Sequence, residues 1–354
     1  MPKRVTYTRL GTSGLKVSKL ILGCMSYGSS QWMSWVLDEE ESIKHIKFAY
    51  DNGIQTFDTA NVYSSGQSEV VLGNAIRKLN LPREEIVVMT KIRAPVPKEV
   101  NVSGHSIFVA GPDNVGYVNQ HGLSRKHIFD GVKASLRRLG LDYIDVLQCH
   151  RFDYDTPIEE TMQALHDVVK SGMVRYIGMS SCHAWQFHVM QNYAITHNLT
   201  PFISMQNQYS LLYREEEREM MPTLKHFGVG SIPYSPVARG ALTRPLDALG
   251  TGPKKTSRQE NDTEMPPDLY LSLQTGSGEI ITRVEQVAKK YGKTMAQIAV
   301  AWVLVKDPVS APVVGSTSIE KLEDLIGALE IKLSDEDVKY LEEPYKAMQV
   351  IAYV

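Results

Sequence analysis

The 354-residue sequence predicts an α/β fold, a closed (β/α)8 or TIM barrel that is preceded by an N-terminal β-hairpin. Three observations support it: eight short β-rich runs, amphipathic stretches of helical periodicity between them, and two long connections that follow predicted strands. Eight strands that alternate with helices favour one parallel barrel over two separate domains. We therefore expect a single domain over residues 1–354.

The hairpin comes first, with residues 6–10 and 15–19 on either side of Gly11-Thr12-Ser13-Gly14. The predicted barrel strands are 19–25, 55–60, 86–92, 143–150, 174–180, 202–208, 229–235 and 309–315. The predicted helices are 40–52, 124–139, 157–171, 279–291 and 334–343, the last of which opens a C-terminal helix and tail, 334–354.

Two connections are too long for ordinary turns, residues 93–123 and 238–278. In a barrel both lie over the C-terminal face, where active sites are found. We expect one to be a substrate lid and the other to cover a bound molecule. Disordered insertions are the alternative, which Ile107, Phe108, Val109 and Tyr117 disfavour as apolar anchors of the first loop.

Composition excludes several classes of function. Lys plus Arg is 38 and Asp plus Glu is 40, a net charge of −2 that argues against nucleic acid or an acidic membrane as the main partner. Three cysteines cannot form a disulfide framework. The start of the chain lacks the apolar core of a signal peptide, and no apolar run approaches ~18 residues. We expect a cytoplasmic protein.

A doubly wound nucleotide-binding sheet is the competing α/β fold, and it usually carries G-x-G-x-x-G after its first strand. The first barrel strand ends instead in Leu22-Gly23-Cys24-Met25-Ser26. Two glycine motifs elsewhere, at 276–278 and 292–294, lack the remaining positions of their patterns, and we interpret them as chance matches.

Four polar residues stand at or just after the ends of the second, third and fourth barrel strands: Asp58, Tyr63, Lys91 and His150. Side chains alternate along a strand, so Asp58, Lys91 and His150 are expected to point into the barrel mouth. Single residues of these types are often structural ion pairs, but four at one mouth indicate a catalytic group.

Such a group can move a proton to or from a carbonyl oxygen. A phenol of pKa ~10 is a poor acid at neutral pH, and a neighbouring ammonium lowers that pKa. A carboxylate keeps the lysine charged, and an imidazole can hydrogen-bond the same substrate oxygen. Since none of the four is a redox centre, the electrons must come from elsewhere, and a nicotinamide cofactor could supply hydride.

Several segments resemble the aldo-keto reductase superfamily. They are FDTANVY (57–63), Thr90-Lys91, QCHR (148–151), GMVRYIGMSS (172–181), YSPVARG (234–240) and VGSTSIEKLED (314–324). GLSRKH (122–127) and LLYRE (211–215) are most similar to its fungal, aryl-alcohol-dehydrogenase-like, NADP-dependent branch. The resemblance extends from about residue 8 to residue 345 and implies the same barrel.

The resemblance implies that Tyr63 is the acid–base, that Lys91 tunes it, that Asp58 holds Lys91, and that His150 orients the substrate carbonyl. It implies NADP(H) as cofactor, with Lys321 at the 2′-phosphate. The cofactor contacts it implies are Ser180, Ser181 and Gln206 at the carboxamide, Tyr234 on the ring, Ser235, Pro236, Ala238, Arg239 and Gly240 along the pyrophosphate, and Gly315, Ser316, Thr317, Lys321 and Asp324 at the adenosine end. Ser181 and Leu325 stand where the family commonly has Asn. The Ser181 contact is therefore expected to be weaker or to pass through water, and adenine recognition near Leu325 to come from packing or another group.

The function so predicted is NADPH-dependent reduction of aldehydes or ketones, aromatic or broad in range and reversible as an alcohol dehydrogenase, with a small-molecule carbonyl compound as partner. The predicted substrate pocket is Met25, Trp32, Trp35, His105 and Phe108, with ordinary packing as the alternative for Trp32 and Trp35. The alternative is a regulatory subunit of the same fold that binds the cofactor with little turnover.

Two other chemistries fit less well. Cys149-His150 and Cys182-His183 suggest zinc, but neighbouring strand residues face opposite sides and no metal motif supports a ligand set, so no metal is expected. Lys91 could form a Schiff base, as in barrel aldolases, but that leaves Tyr63 and Arg239 without roles.

Overall fold

Eight parallel strands form one curled sheet in the computed structural model, which describes residues 4–250 and 276–351. Numbered along the chain, the strands neighbour one another in the order β10-β3-β4-β5-β6-β7-β8-β9. Parallel bridges Ser231↔Val309 and Tyr234↔Val313 join the two ends of that order. The predicted (β/α)8 fold and its antiparallel N-terminal hairpin are therefore confirmed.

The hairpin strands are β1 (Tyr7–Arg9) and β2 (Lys16–Ser18). The barrel strands are β3 (Ile21–Gly23), β4 (Thr56–Asp58), β5 (Val87–Ile92), β6 (Ile144–Cys149), β7 (Val174–Ser180), β8 (Phe202–Gln206), β9 (Gly230–Ser231) and β10 (Val313–Val314). The last two are much shorter than predicted because, outside them, only Tyr234 and Val309 of the two predicted runs pair with a neighbour, through isolated bridges.

The α-helices of the described residues are Glu39–Asp51, Gln67–Lys78, Gly104–Ala110, Arg125–Leu139, Ile158–Lys170, Ala184–Thr196, Met220–Phe227, Asp247–Gly250, Ser277–Tyr291, Met295–Leu304, Ile319–Ile326 and Asp335–Glu342. Short 3-10 turns lie at Cys24–Ser26, Tyr63–Gly66, Pro112–Val115, Glu215–Glu217, Ala238–Thr243 and Gly327–Glu330. None of the described helices is long and apolar enough to cross a membrane.

Side chains alternate along the strands as predicted. Val87, Met89 and Val146 pack inside the barrel, together with Leu10 and Val17 of the hairpin. Phe57, Leu147 and Cys149 belong to the separate cluster between sheet and helices. This alternation is what turns the polar side chains at the strand ends towards the mouth.

The hairpin closes the end of the barrel opposite the mouth. Its turn residue Gly11 has φ +57°, and a Cβ there would lie 2.4 Å from the backbone oxygen of Gly228. Thr12 N donates to that same oxygen at 2.8 Å. Glycine is required at position 11 because the two backbones approach so closely.

The first long connection, 93–123, is ordered and contains the helix Gly104–Ala110 and the turn Pro112–Val115. Ile107 and Tyr117 are buried, as predicted for anchors. Phe108 and Val109 are 38% and 72% exposed, so the prediction that they anchor the loop was wrong. Of the second connection, 238–278, residues 251–275 lie outside the described part of the chain.

A buried histidine in the helix Arg125–Leu139 should make the protein sensitive to acid. Burial is the main factor that lowers the pKa of His127 to about 4, and Nε2 has no hydrogen-bond partner among the described residues. The unfolded chain takes up this proton near pH 6.5 and the folded chain does not. Stability from this residue is complete above pH 6.5 and is lost as pH falls towards 4, by up to about 3 kcal/mol.

The measurement is the free energy of unfolding in urea between pH 7.5 and pH 4.5, for the parent protein and His127→Leu. We expect the variant to lose less stability over this range. His188→Gln, at an exposed position, is the control and should follow the parent. Equal acid sensitivity of parent and His127→Leu would contradict the assignment.

Candidate active site

Asp58, Lys91 and His150 meet because β4, β5 and β6 are neighbours in the barrel and end at the same rim. Lys91 Nζ donates to Asp58 Oδ2 at 2.5 Å and to the backbone oxygen of Thr59 at 2.9 Å. It also lies 3.4 Å from the hydroxyl of Tyr63. Lys91 is 0% and Asp58 2% exposed, so this ion pair is shielded from water.

Two buried amides hold the second oxygen of Asp58. Gln148 Nε2 donates to Asp58 Oδ1 at 2.8 Å, and Gln206 Nε2 donates to the same atom at 2.9 Å. Gln206 Nε2 also lies 3.1 Å from Gln148 Oε1. Sequence reasoning missed Gln148 as a member of this site, although the alternation along β6 already predicted that its side chain points inward.

Tyr63 enters the site from the turn that follows β4. The next two residues, Ser64 and Ser65, have φ of 52° and 53°, in the left-handed region that non-glycine residues seldom adopt. The Tyr63 ring packs edge-on against the imidazole of His150, with 5.8 Å between centroids. Tyr63, Lys91 and His150 are thus brought together as predicted.

The pKa of Tyr63 lies above its ordinary value because burial outweighs the opposing effect of the Lys91 ammonium. The sequence-based expectation considered only the ammonium. Burial by itself would lower the pKa of Lys91, but Asp58 and Tyr63 together raise it above the usual value. At neutral pH the site therefore holds a protonated phenol beside a charged lysine, which is the state of a proton donor.

His150 is expected to be neutral. Burial lowers its pKa well below the ordinary value, and Arg151, Lys91 and Arg93 act in the same direction. A neutral imidazole carries one N–H that can hydrogen-bond an oxygen without placing a further positive charge in the site.

A cavity of about 410 Å³ opens above these residues, with Asp58, Tyr63 and His150 in its wall. Of the predicted cofactor residues, the cavity is lined by Ser180, Gln206, Tyr234, Ser235, Pro236, Arg239 and Gly315. Of the predicted substrate residues, it is lined by Met25, Trp32 and Phe108. Arg93 and Arg151 also line it, and sequence reasoning missed both.

Other predicted residues lie away from the cavity wall: Ser181, Ala238, Gly240, Ser316, Thr317, Lys321, Asp324 and Trp35. Ser181 is buried with its hydroxyl 3.4 Å from that of Tyr234. Asp324 accepts a hydrogen bond from Thr294 Oγ1 at 2.8 Å. Trp35 is buried against Met33 and Val36. The side chain of His105 lies outside the described part of the structure.

The described residues contain no group of three or more His, Cys, Asp or Glu side chains placed to bind a metal ion. Cys24, Cys149 and Cys182 are buried free thiols, and burial raises the pKa of each. Buried thiols of high pKa are poor nucleophiles, so the chemistry of the cavity rests on the phenol, ammonium, carboxylate and imidazole.

Comparison with known proteins agrees with this geometry. The family model described as "Aldo/keto reductase family" matches residues 19–346. A Schizosaccharomyces pombe protein with the provisional name aryl-alcohol dehydrogenase is 52% identical over 350 residues, 96% of this chain and 95% of the relative. The versiconal hemiacetal acetate reductase of Aspergillus parasiticus is 48% identical over 340 residues, 96% of each chain.

An aldo-keto reductase of Alternaria alternata is 46% identical over 349 residues, 97% of this chain and 92% of the relative. The match of the family model covers far more than half of the chain, and the relatives align along nearly its whole length. The chain belongs to the aldo/keto reductase family, and that family together with the names of these relatives supports an oxidoreductase that acts on carbonyl groups.

Proposed function

We propose that this protein is a cytoplasmic, single-domain reductase that uses NADPH to reduce aldehydes or ketones, aromatic ones among them, and that also runs in reverse as an alcohol dehydrogenase. The observation that carries the proposal is the Tyr63 hydroxyl 3.4 Å from a buried, Asp58-paired Lys91, in the wall of a cavity that His150 shares. The names of the two relatives, an alcohol dehydrogenase and a reductase, support the same reaction in its two directions.

The residues on the far side of the cavity fit a nicotinamide dinucleotide. Ser235, Ala238, Arg239 and Gly240 have φ of 57°, 47°, 54° and 96°. Strained backbone of this kind is frequent at ligand-binding sites. The N–H groups of Ala238 and Gly240 already donate to the backbone oxygens of Ser235 and Val237, so the support for a phosphate at this turn is the charge of Arg239, which lines the cavity. At Gly315 a Cβ would lie 3.3 Å from the backbone oxygen of Gly23, so the wall is closely packed at this point.

A nicotinamide cofactor, when bound, would supply a hydride for the carbonyl carbon, and the residues of the protein would transfer the proton. Tyr63 donates its hydroxyl proton to the carbonyl oxygen, and Lys91 stabilises the phenolate that remains. Asp58 holds Lys91 charged and in place through the 2.5 Å contact. His150 hydrogen-bonds the same carbonyl oxygen and so positions the substrate. In the reverse direction, the phenolate takes the proton of the alcohol.

Oxidation of NADPH by the purified protein, followed with a panel of aromatic and aliphatic aldehydes and ketones, tests the proposal. Steady turnover with a subset of these compounds is the expected result. Cofactor binding without turnover of any of them would favour the regulatory-subunit alternative. The absence of any fluorescence or stability change with NADPH or NADP would contradict the cofactor assignment itself.

Replacing Lys321 should shift cofactor preference towards NADH. Lys321 is exposed in the first turn of the helix Ile319–Ile326, where the helix N-terminus also favours an anion. Loss of a charge-assisted contact to the 2′-phosphate should weaken NADPH binding by ~1.5–3 kcal/mol in Lys321→Ala. NADH lacks that phosphate and should be little affected.

The two dissociation constants are measured by fluorescence titration. Lys332→Ala removes an exposed lysine outside this helix and is the control, expected to leave the ratio of the two constants unchanged. If Lys321→Ala weakens the binding of NADPH and of NADH equally, this residue does not contact the 2′-phosphate.

A further inference from the structure

Two arginines in the cavity wall have no part in the reaction as proposed. Arg93 directly follows β5, and Arg151 directly follows His150 at the end of β6. Both line the cavity and both are only partly exposed. The two arginines follow adjacent strands, β5 and β6, whereas Arg239 follows β9, several strands away around the barrel. Two positive charges therefore lie apart from the one assigned to the cofactor.

Neither guanidinium forms an ion pair with any residue that the structure describes. Arg151 Nη1 donates to the backbone oxygen of His150 at 2.6 Å. Among the carboxylates, Asp153 acts most strongly on Arg93. Its Oδ2 already accepts hydrogen bonds from Leu123 N and Thr156 Oγ1 at 2.6 Å each, and its Oδ1 accepts from Asp155 N at 3.2 Å. The two charges are thus left without a compensating carboxylate within 4 Å.

Arg93 is held in a fixed orientation. Its φ is 147°, an uncommon value for a non-glycine residue, and its carbonyl accepts a hydrogen bond from Gly122 N at 2.8 Å. Its guanidinium lies over the ring of Phe108, 4.5 Å from the centroid. A cation–π contact uses the face of the guanidinium and leaves its N–H edge available for a planar anion.

The rest of the wall contains little negative charge. Asp58 is the only carboxylate among the described lining residues, and Lys91, Gln148 and Gln206 already engage both of its oxygens. Burial lowers the pKa of Arg93, and Arg151 adds to that effect although Asp153 opposes it. An incoming anion would relieve the repulsion between the two arginines.

From this geometry we infer the substrate class: aldehydes or ketones that carry a carboxylate, which Arg93 and Arg151 bind while the carbonyl lies at Tyr63 and His150. The inference rests on the proposed reductase function and deepens it. Trp32 and Phe108, also in the wall, provide apolar surface for a ring or chain that links the two groups.

The test compares two substrates with the same ring and the same aldehyde, 4-carboxybenzaldehyde and the neutral methyl 4-formylbenzoate, in NADPH-dependent reduction by the full chain. We expect kcat/KM of the parent to favour the carboxylate by about tenfold or more. In Arg93→Gln and in Arg151→Gln this preference should fall by about tenfold, mostly through KM. Arg151→Lys, which keeps the charge, should retain more of it than Arg151→Gln.

Arg125→Gln is the matched control. Arg125 begins a helix at the same face of the barrel, is exposed, pairs with Asp167 and lies outside the cavity wall. It should keep the parental preference, which separates binding in the cavity from general attraction of an anion to a positive face. A parent that reduces both aldehydes equally well, or a preference that survives in Arg93→Gln and Arg151→Gln, would overturn the proposal.

Benzoate binding, measured by calorimetry, distinguishes the two possible failures. If neither aldehyde is reduced, the reductase function fails, but the arginine pair is still tested by whether the double variant Arg93→Gln/Arg151→Gln loses the affinity for benzoate. A benzoate dissociation constant that is unchanged in the double variant overturns the inference. The inference is also overturned if Arg93→Gln weakens NADPH binding and leaves the order of substrate preference as it is in the parent.

Discussion

Tyr63→Phe should retain cofactor binding and lose most carbonyl reduction, by ~10²–10⁴-fold. The substitution keeps the ring that packs against His150 and removes only the hydroxyl. The carbonyl oxygen then has no proton donor, so the loss should fall chiefly in kcat. Lys91 still donates to Asp58 and to the Thr59 backbone, and the hydroxyl it loses is 3.4 Å away, so stability should change little.

Single-turnover reduction by parent and variant, with NADPH affinity and the unfolding midpoint measured alongside, checks this expectation. Tyr50→Phe is the control, because it removes a phenol hydroxyl that donates a hydrogen bond to Glu85 outside the cavity wall. This variant should reduce the substrate as fast as the parent does. Near-parental turnover in Tyr63→Phe would mean that another group is the proton donor.

Lys91→Met should have a large effect on both activity and stability. It removes the ammonium that stabilises the Tyr63 phenolate in the proposed mechanism, so we expect turnover to fall by a factor comparable to that of Tyr63→Phe. It also leaves the Asp58 carboxylate buried with only amide donors. Breaking a buried ion pair on one side costs about 3–5 kcal/mol, to be measured as the free energy of unfolding in urea.

The double variant Lys91→Met/Asp58→Asn separates the two effects. With no charge left in the pair, part of the lost stability should return, because the cost lies in the uncompensated carboxylate. Activity should stay as low as in Lys91→Met. A double variant less stable than Lys91→Met would show that Asp58 does more for the fold than pair with Lys91.

Hydrophobic periodicity predicted the strands and the five helices best where one face of the element is buried and the other is exposed to solvent. The predicted strand 174–180 coincides with β7, and the helix Arg125–Leu139 starts one residue after the predicted bound because Ser124 is its cap. The helix Met295–Leu304 was missed because nearly all of its side chains are buried, which leaves no polar face to set a period. Gln67–Lys78 was missed as well, since its inner face buries the polar Ser68 and Glu69.

The polar group at the mouth followed from strand alternation, because position along a strand decides which way a side chain points. The residues that hydrogen-bond this group could not be predicted in the same way. Gln148 and Gln206 are 58 positions apart and both reach one oxygen of Asp58, a convergence that only the closed barrel creates. Arg93 and Arg151 carry charges that a sequence reader assigns to the surface. Their place in the cavity wall depends on the path of the loop after β5, which no local pattern records.

The direction of the hydrogen bonds around Gln206 limits how a carboxamide could bind beside it. The Ser180 hydroxyl hydrogen goes to the backbone oxygen of Gln206, and the two side-chain amide hydrogens of Gln206 go to Asp58 and Gln148. At the proposed carboxamide site these side chains therefore offer lone pairs and no hydrogens. They can accept from the NH2 of a carboxamide but cannot donate to its oxygen, so that oxygen would have to face another donor, such as the Ser181 hydroxyl, which can donate or accept in its 3.4 Å contact with Tyr234. The orientation of the carboxamide would then be selected inside the barrel wall, by groups whose own hydrogens are already engaged.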